Sequence, residues 1–212
     1  MKEILKDIVK EFQVTGDIKK DVCNLLGEYN RNIIADHSLR VSRKAKVLAR
    51  QFGGDEEFAE IAGLLHDISG VIPNGQKLEV ARKLNIEVLQ EEELVPSILH
   101  QKISKVIAEE IFDIRDTSIL AAISCHTTLR ANATKMDMIL FIADKLEWDQ
   151  TGAPPYLLKV EEQLKKSLEL GVYAFIKYQL DNRENLMVLH PWLEEAYLDL
   201  KAKVICEDAD IK

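Results

Sequence analysis

The stretch GLLHDISG, residues 63–70, joins an apolar helical segment directly to a histidine and an aspartate. Leu64 and Leu65 are typical of a helix that packs in a protein core. His66 and Asp67 follow without a spacer, and a serine and a glycine then break the helical pattern. The pair is therefore either the polar rim of a buried helix or part of a metal site.

Apolar residues recur at helical spacing along almost the whole chain, which predicts an all-α fold. The predicted helices are 4–12, one after Asp17, one from near Asp36 to Phe52, one after Asp55, one near 76–84, one after Pro96, one after Asp116, and a central buried helix from Lys135 to Trp148. Pro154-Pro155 marks a linker, and the last of two or three further helices begins near His190-Pro191. The acidic run at 91–93 is predicted to be solvated.

The 212 residues are 47% hydrophobic and 30% charged, the balance of an ordinary globular protein. A net charge of −8 argues against a nonspecific grip on nucleic acid, which needs a basic surface, so no nucleic-acid partner is expected. A small anionic substrate is compatible with this charge if a metal and a few cationic side chains form a local site. Cys23, Cys125 and Cys206 lack the spacing of a disulfide framework, and no signal-peptide core or membrane-spanning run is present. A cytoplasmic protein without membrane contact is expected.

Two histidines and two aspartates, three of them at helix positions flanked by apolar residues, form a candidate set: His37, His66, Asp67 and Asp144. Each is a weak signal alone, because a single helical histidine is more often a satisfied core residue than a ligand. Together they supply two nitrogen and two oxygen donors, a set that suits iron, manganese, cobalt or zinc. A carboxylate such as Asp144 in the most apolar helix is costly unless it is paired, hydrogen-bonded or bound to a metal.

The order of these residues resembles the H…HD…D pattern of the HD-domain phosphohydrolase superfamily. Six strings resemble its YqeK branch: HSLRV at 37–41, AGLLHDI at 62–68, ILH at 98–100, HTTLR at 126–130, IADKLE at 142–147 and HPWLEEAY at 190–197. The resemblance implies an HD-domain helical bundle. It places an N-terminal helical extension at 1–30, the HD core at 31–153, and C-terminal helices at 154–206 packed on that core in a single domain.

The resemblance also implies a reaction, in which a metal-bound water cleaves diadenosine tetraphosphate to two molecules of ADP. Carried over by position, the metal ligands are His37, His66, Asp67 and Asp144, and Asp67 also orients or deprotonates the water. The phosphate and nucleotide pocket is lined by His100, His126, Thr127 and Arg130. His190 falls in the structural C-terminal segment. The implied metal is iron, with manganese as the alternative, and a homodimer is compatible with a helical enzyme of this size.

The chain departs from the branch pattern at three places. Gly70 stands where a lysine usually follows the HD pair, Ser104-Lys105 replaces a pair of small residues, and Gln150 stands in place of an arginine. Two cations near the phosphates are therefore missing, and each charge-assisted contact is typically worth about 1.5–3 kcal/mol. Lys145 and Lys105 are the candidates to replace them, if either faces the pocket.

These departures leave two alternatives open. One keeps the metal chemistry but takes a nucleoside monophosphate or another small phosphate ester as substrate. The other is a regulatory HD protein that binds a nucleotide and turns it over weakly. The missing cations favour the second alternative, whereas the complete metal set argues against it.

Overall fold

The computed structural model describes residues 3–10, 12–148 and 151–210, with side chains except at 8 and 206–210. Within these ranges the chain forms twelve α-helices and four short 3₁₀ segments and no strand, which confirms the all-α prediction. The helices are α1 (Glu3–Val9), α2 (Ile18–Glu28), α3 (Asn32–Phe52), α4 (Glu56–Leu65), α5 (Lys77–Lys83), α6 (Gln90–Leu94), α7 (His100–Glu110), α8 (Thr117–Cys125), α9 (Lys135–Leu146), α10 (Leu157–Leu164), α11 (Leu168–Asp181) and α12 (Pro191–Asp210). Among these helices, none is both long and apolar enough to cross a membrane.

Aspartates begin three helices where the sequence predicted N-caps. The carboxylates of Asp17, Asp55 and Asp116 accept backbone N–H groups from the first turns of α2, α4 and α8. Each bond satisfies an N–H group that has no carbonyl partner inside its helix. Gly53 ends α3 with a φ of 67°, a left-handed conformation that glycine adopts without a steric penalty. These predicted boundaries are confirmed.

Three predicted boundaries are wrong by a few residues. Helix α1 ends at Val9 rather than at residue 12, since Lys10 has a positive φ of 47°. Helix α3 begins at Asn32 rather than near Asp36, because Asn30, with a φ of 57°, turns the chain sharply just after α2. His37 consequently lies in the second turn of α3 and not at its start. At the other end of the fold, α9 stops at Leu146 and does not reach Trp148.

The prediction that the acidic run at 91–93 is solvated is wrong for Glu92. The run lies on α6, and the Glu92 side chain is fully buried while Glu93 faces solvent. Glu92 Oε2 accepts hydrogen bonds from Lys102 Nζ and from the backbone N–H of Leu89, both at 2.8 Å. Helical geometry explains the difference, since three consecutive residues cannot all point to the same side of a helix.

The core is built around the contact between α3 and α4 and around the central helix α9. Helices α3 and α4 approach so closely at Gly63 that a Cβ atom there would lie 2.5 Å from Ser42 Cα. Helix α9 runs through the centre, packs on α3, α4, α8 and α11, and buries Phe141 completely. The prediction that this helix is central and buried is confirmed.

Aromatic rings join the helices that follow Pro154-Pro155 to α9. The ring centroid of Phe175 on α11 lies 5.5 Å from that of Phe141 and 4.8 Å from that of Tyr156. The Tyr156 hydroxyl donates a hydrogen bond to the Lys145 carbonyl at 2.9 Å. These contacts place the aromatic side chains of the C-terminal helices next to the end of α9.

Candidate metal centre

Six ionisable side chains from five parts of the chain converge at one place in the fold. Four of them come from helix ends, one directly follows a helix, and one comes from the second turn of α3. They are His37 on α3, His66 at the end of α4, Asp67 after it, His100 at the start of α7, His126 at the end of α8 and Asp144 in the last turn of α9. The four residues predicted to bind metal are therefore neighbours, and two of the predicted nucleotide-binding residues join them.

Three of the imidazoles are oriented by the same local bond. In each, Nδ1 contacts a carbonyl oxygen three residues earlier: His66 to Gly63 at 2.8 Å, His100 to Ser97 at 2.7 Å and His126 to Ile123 at 2.8 Å. Because a carbonyl oxygen only accepts, Nδ1 is the donor and carries the proton. In the neutral imidazole, Nε2 is then left with a lone pair that points into the cluster.

Asp67 lies between two groups of these nitrogen atoms. Its Oδ2 is 3.6 Å from His66 Nε2, and its Oδ1 is 3.3 Å from His100 Nε2 and 3.6 Å from His126 Nε2. The ligand atoms of His37, His66 and Asp67 lie within 4.8 Å of one another, and so do those of Asp67, His100 and His126. Both groups therefore use the same carboxylate.

The backbone explains how two adjacent residues can face one site. Helix α4 ends at Leu65, and Asp67 leaves the helical conformation with φ −108° and ψ 17°. On a regular helix, successive side chains point in directions about 100° apart. The change in backbone direction after His66 is what turns the Asp67 carboxylate toward the imidazoles.

Asp144 closes the cluster on the α3 side. Its Oδ1 lies 3.0 Å from His37 Nε2 and 3.7 Å from His66 Nε2. Its Oδ2 accepts a hydrogen bond from Lys145 Nζ at 2.5 Å. The costly carboxylate of the apolar helix α9 is thus paired on both oxygens.

The donor atoms of the cluster fit a divalent metal. His66 Nε2 is completely buried and has no hydrogen-bond partner among the described residues. His100 Nε2 and His126 Nε2 lie 2.9 Å apart, although each is an acceptor when Nδ1 carries the proton, so a proton or a cation is needed to relieve their repulsion. Ligands about 2.1 Å from one ion are about 3.0–3.4 Å apart, close to the spacings here.

The ionisable groups are held in the forms that bind metals. Burial lowers the pKa of His66, and it lowers the pKa of His100 to about 4. Burial alone would raise the pKa of the Asp67 and Asp144 carboxyls, but the surrounding histidines at Asp67 and the Lys145 ammonium at Asp144 hold both pKa values well below the usual range. At neutral pH these imidazoles are therefore neutral and the carboxylates charged.

The predicted nucleotide-binding residues are not all at the cluster. The Thr127 hydroxyl lies 2.9 Å from His100 Nε2. Arg130 instead binds Asp137 through two nitrogen atoms, at 3.1 and 2.7 Å, about two helical turns along α9 from Asp144. The nucleotide-binding role of Arg130 stays a prediction, and in this arrangement its guanidinium neutralises a fully buried carboxylate.

Two positioning contacts were not predicted from the sequence. Gln101 Oε1 accepts the backbone N–H of Thr127 at 3.0 Å, which holds the segment after His126. Ser104 donates to the Ser69 hydroxyl, and Ser69 donates to the His100 carbonyl, both at 2.9 Å. Serine in place of a small apolar residue at position 104 is thus part of a buried hydrogen-bond chain. Such contacts depend on helix packing and leave no periodic pattern in the sequence.

The other positions that depart from the branch pattern lie in different surroundings. A Cβ at Gly70 would lie 2.6 Å from Ile34 Cδ1, so the α3 side chain occupies the space that a longer residue would need. Lys77 is buried nearby and donates to Asn74 Oδ1 at 2.7 Å. Lys105 lines a different cavity, beside Trp192. Gln150 lies outside the described residues.

Comparison with known proteins places this cluster in a family. The HD domain family model matches residues 34–149. An uncharacterized protein in the pepC 5' region of Lactococcus lactis subsp. cremoris is 46% identical over 68% of this chain and 72% of its own length. The symmetrical bis(5'-nucleosyl)-tetraphosphatase of Staphylococcus aureus (strain NCTC 8325 / PS 47) is 35% identical over 55% of this chain and 59% of its own length, so the match spans about three fifths of that enzyme.

A solved structure agrees with these sequence matches. It is described as a predicted HD superfamily hydrolase involved in NAD metabolism from Clostridium acetobutylicum, and is 26% identical to this chain. The superposition has a TM-score of 0.75 and covers 90% of this chain and 99% of that one. Its similarity extends over the C-terminal helices as well as the segment matched by the family model. The chain belongs to the HD-domain hydrolase superfamily.

Proposed function

We propose that this protein is a metal-dependent phosphohydrolase that cleaves a dinucleoside polyphosphate, diadenosine tetraphosphate, to ADP. The observation that carries the proposal is the convergence of three Nε2 atoms on the two oxygens of Asp67. This arrangement offers nitrogen and oxygen donors to a divalent transition metal, for which we propose iron, with manganese as the alternative. The substrate is proposed from the names of the relatives in Staphylococcus aureus and Halalkalibacterium halodurans, the latter 29% identical over 65% of this chain.

The two overlapping donor groups favour a site for two ions. His37 and His66 with Asp144 would hold one ion, and His100 with His126 would hold the other. Asp67 would serve both, because its two oxygens face different groups. A divalent metal supplies Lewis acidity toward phosphoryl oxygens and a water of lowered pKa.

The protein groups have roles that follow from their positions. Asp67 faces both donor groups with its two oxygens. We therefore assign it to ligation and to orienting the attacking water through a hydrogen bond. Thr127 lies beside His100 and can donate its hydroxyl proton to a phosphate oxygen when the substrate displaces the bond between them.

A cavity beside the cluster supports a nucleotide substrate. It has a volume of about 460 Å³ and reaches the cluster at Thr127 and Lys145. Its walls include four aromatic side chains, Trp148, Tyr156, Phe175 and Tyr178, and the amide side chains of Gln179 and Asn182. Aromatic faces stack on a nucleobase, and amides can hydrogen-bond to its edge.

The test is an assay of anaerobically purified protein whose bound metal has been measured. Incubation with diadenosine tetraphosphate should release two ADP for each substrate consumed, and iron or manganese should restore activity after chelation. Mononucleotides and other small phosphate esters in the same panel test the alternative substrates. Release of ATP and AMP would contradict symmetrical cleavage. Retained nucleotide without turnover by the metal-loaded protein would instead support the regulatory alternative.

A further inference from the structure

Lys145 occupies the boundary between the metal cluster and the aromatic cavity. It lies in the last turn of α9, directly after Asp144, and lines the cavity together with Thr127. Its Nζ donates to Asp144 Oδ2 and stands 5.4 Å from the centroid of the Phe141 ring. Its side chain is 18% exposed, so the ammonium is largely enclosed but can still be reached from the cavity.

Both the backbone and the side chain of Lys145 are held by hydrogen bonds. Its carbonyl accepts the hydroxyl proton of Tyr156, a residue of the cavity wall, at 2.9 Å. An ammonium group has three N–H donors. Among the described residues, the Lys145 ammonium makes one hydrogen bond, to Asp144. Its remaining N–H donors are therefore available to a ligand.

Lys77 also lies within electrostatic range of Asp67 and His100, but it donates to Asn74 Oδ1 and does not line the aromatic cavity. Two further cations are engaged elsewhere. Arg130 is bound to Asp137, and Lys105 lines a separate cavity with Glu87 and Glu109. The chain carries a net charge of −8, so a polyphosphate needs a local cation as well as the metal. Lys145 stands on the path that joins the cavity to the cluster.

We propose that Lys145 binds the phosphate group nearest the ribose of a nucleotide whose base lies in the aromatic cavity. This inference rests on the proposed function, since it assumes a nucleotide ligand that reaches from the cavity to the metal cluster. Lys145 then contacts Asp144 and the phosphate at the same time. It selects ligands that carry a phosphate at this point over those that end at the ribose.

The experiment measures nucleotide binding rather than turnover. The chain has two tryptophans, Trp148 in the cavity wall and Trp192 near Lys102, so W192F leaves Trp148 as a single indole reporter. In this background the manganese-loaded protein is titrated with ADP and with adenosine. Wild-type Lys145, K145M and K145R are compared, and K105M is the control lysine. Calorimetric titration of the same lysine variants without W192F repeats the comparison without the reporter substitution.

K145M should weaken ADP binding by about tenfold or more, the loss expected for one charge-assisted hydrogen bond. Adenosine binding should change by less than about twofold, because adenosine has no phosphate for Lys145 to contact. K145R should keep most of the ADP affinity, and K105M should bind like the wild type. Metal content is measured in all four proteins, and affinities are compared at equal metal occupancy.

Equal ADP affinity in K145M and wild type would overturn the inference. An equal loss for ADP and adenosine would also overturn it, since that result means that the substitution distorts the cavity. Failure of the wild-type protein to bind ADP would overturn the inference as well. The proposed function is judged separately, by ADP release from diadenosine tetraphosphate with unmodified protein, so the two can fail independently.

Discussion

At the scale of single residues, the Nδ1 bonds of three histidines determine what the cluster can do. A helix end leaves carbonyl groups without N–H partners, and an imidazole at that end can satisfy one of them. His66 and His126 use this arrangement at the ends of α4 and α8. The bond selects the tautomer whose Nε2 is free to bind a metal. A local feature of helix termination thereby orients the proposed ligands.

Replacing Asp67 tests the shared carboxylate. D67N keeps the shape of the side chain but removes the charge that faces both donor groups, so bound metal should fall clearly and hydrolysis should drop by at least about a hundredfold. Metal analysis and steady-state rates measure the two effects. The control is D36N, because Asp36 is exposed and only one residue from His37. A D67N protein with full metal content and full activity would rule out the assigned role.

At the scale of helices, the site depends on how closely α3 and α4 approach. Gly63 lies on α4 three residues before His66, and Ser42 faces it from α3, the helix of His37. The His37 and His66 ring centroids are 5.2 Å apart across this contact. The separation of two proposed ligands is therefore set by the absence of a side chain at Gly63.

G63A should separate the two helices. Its Cβ would meet Ser42 Cα at 2.5 Å and Ser42 N at 2.8 Å, and backbone atoms cannot rotate away as a side chain can. The expected loss of unfolding free energy is about 1–3 kcal/mol, accompanied by weaker metal binding. Urea denaturation and metal titration measure these changes. G75A is the matched control, since no atom lies within 4 Å of its added Cβ, and a G63A protein that behaves like G75A would refute the explanation.

A buried ion pair connects α6 to α7, and a histidine before α12 adjoins it. The Glu92 and Lys102 side chains are 0% and 9% exposed, and His190 Nε2 lies 3.5 Å from Glu92 Oε1. Burial would raise the pKa of Glu92, but the nearby His190 imidazole and the hydrogen bonds from Leu89 and Lys102 lower it below the usual value. This contact is outside the metal cluster, so its effect on stability can be measured independently.

E92Q should lower the unfolding free energy at pH 7 by about 3–5 kcal/mol, because it leaves the Lys102 ammonium buried without its carboxylate. The lowered pKa means that folding favours the charged form of Glu92. Its stabilising effect is therefore complete above the unfolded pKa of about 4.5 and is lost as the pH falls through the lower folded value. Denaturation curves from pH 7 down to pH 3 should show the wild type approaching E92Q. A difference in unfolding free energy between wild type and E92Q that stays constant with pH would contradict a charged Glu92 in the folded protein.

At the scale of the whole molecule, metal binding should couple to folding. The proposed ligands come from α3, the end of α4, α7, α8 and α9, which are brought together only in the folded chain. A metal that binds only the folded protein adds about 2.7 kcal/mol when its concentration is a hundred times Kd. For a domain of this size the expected rise in Tm is about 5–10 °C. Calorimetry with and without chelator measures it, and D67N should show a smaller rise. Identical Tm values for metal-saturated and chelated wild type would contradict the coupling.

Much of the fold could be predicted because it depends on local chemistry. Asp17, Asp55 and Asp116 cap helices through bonds that span two or three residues, and Gly53 ends α3 through its own backbone freedom. The start of α3 was misplaced because Asn30 can adopt a left-handed conformation without any change in the surrounding apolar pattern. Glu92 was misplaced because its burial depends on a lysine ten residues away.

The amino-acid sequence by itself determined the helical pattern, the caps and the order of His37, His66, Asp67 and Asp144 along the chain. Only the tertiary structure decided that Asp67 faces two groups of imidazoles, that Arg130 neutralises Asp137, and that Lys145 lines the aromatic cavity while Lys105 does not. Capping and periodicity involve neighbours within a turn or two, so they are written in consecutive residues. Which atom of a side chain meets which partner depends on the packing of helices that are distant in the sequence, and no local pattern specifies it.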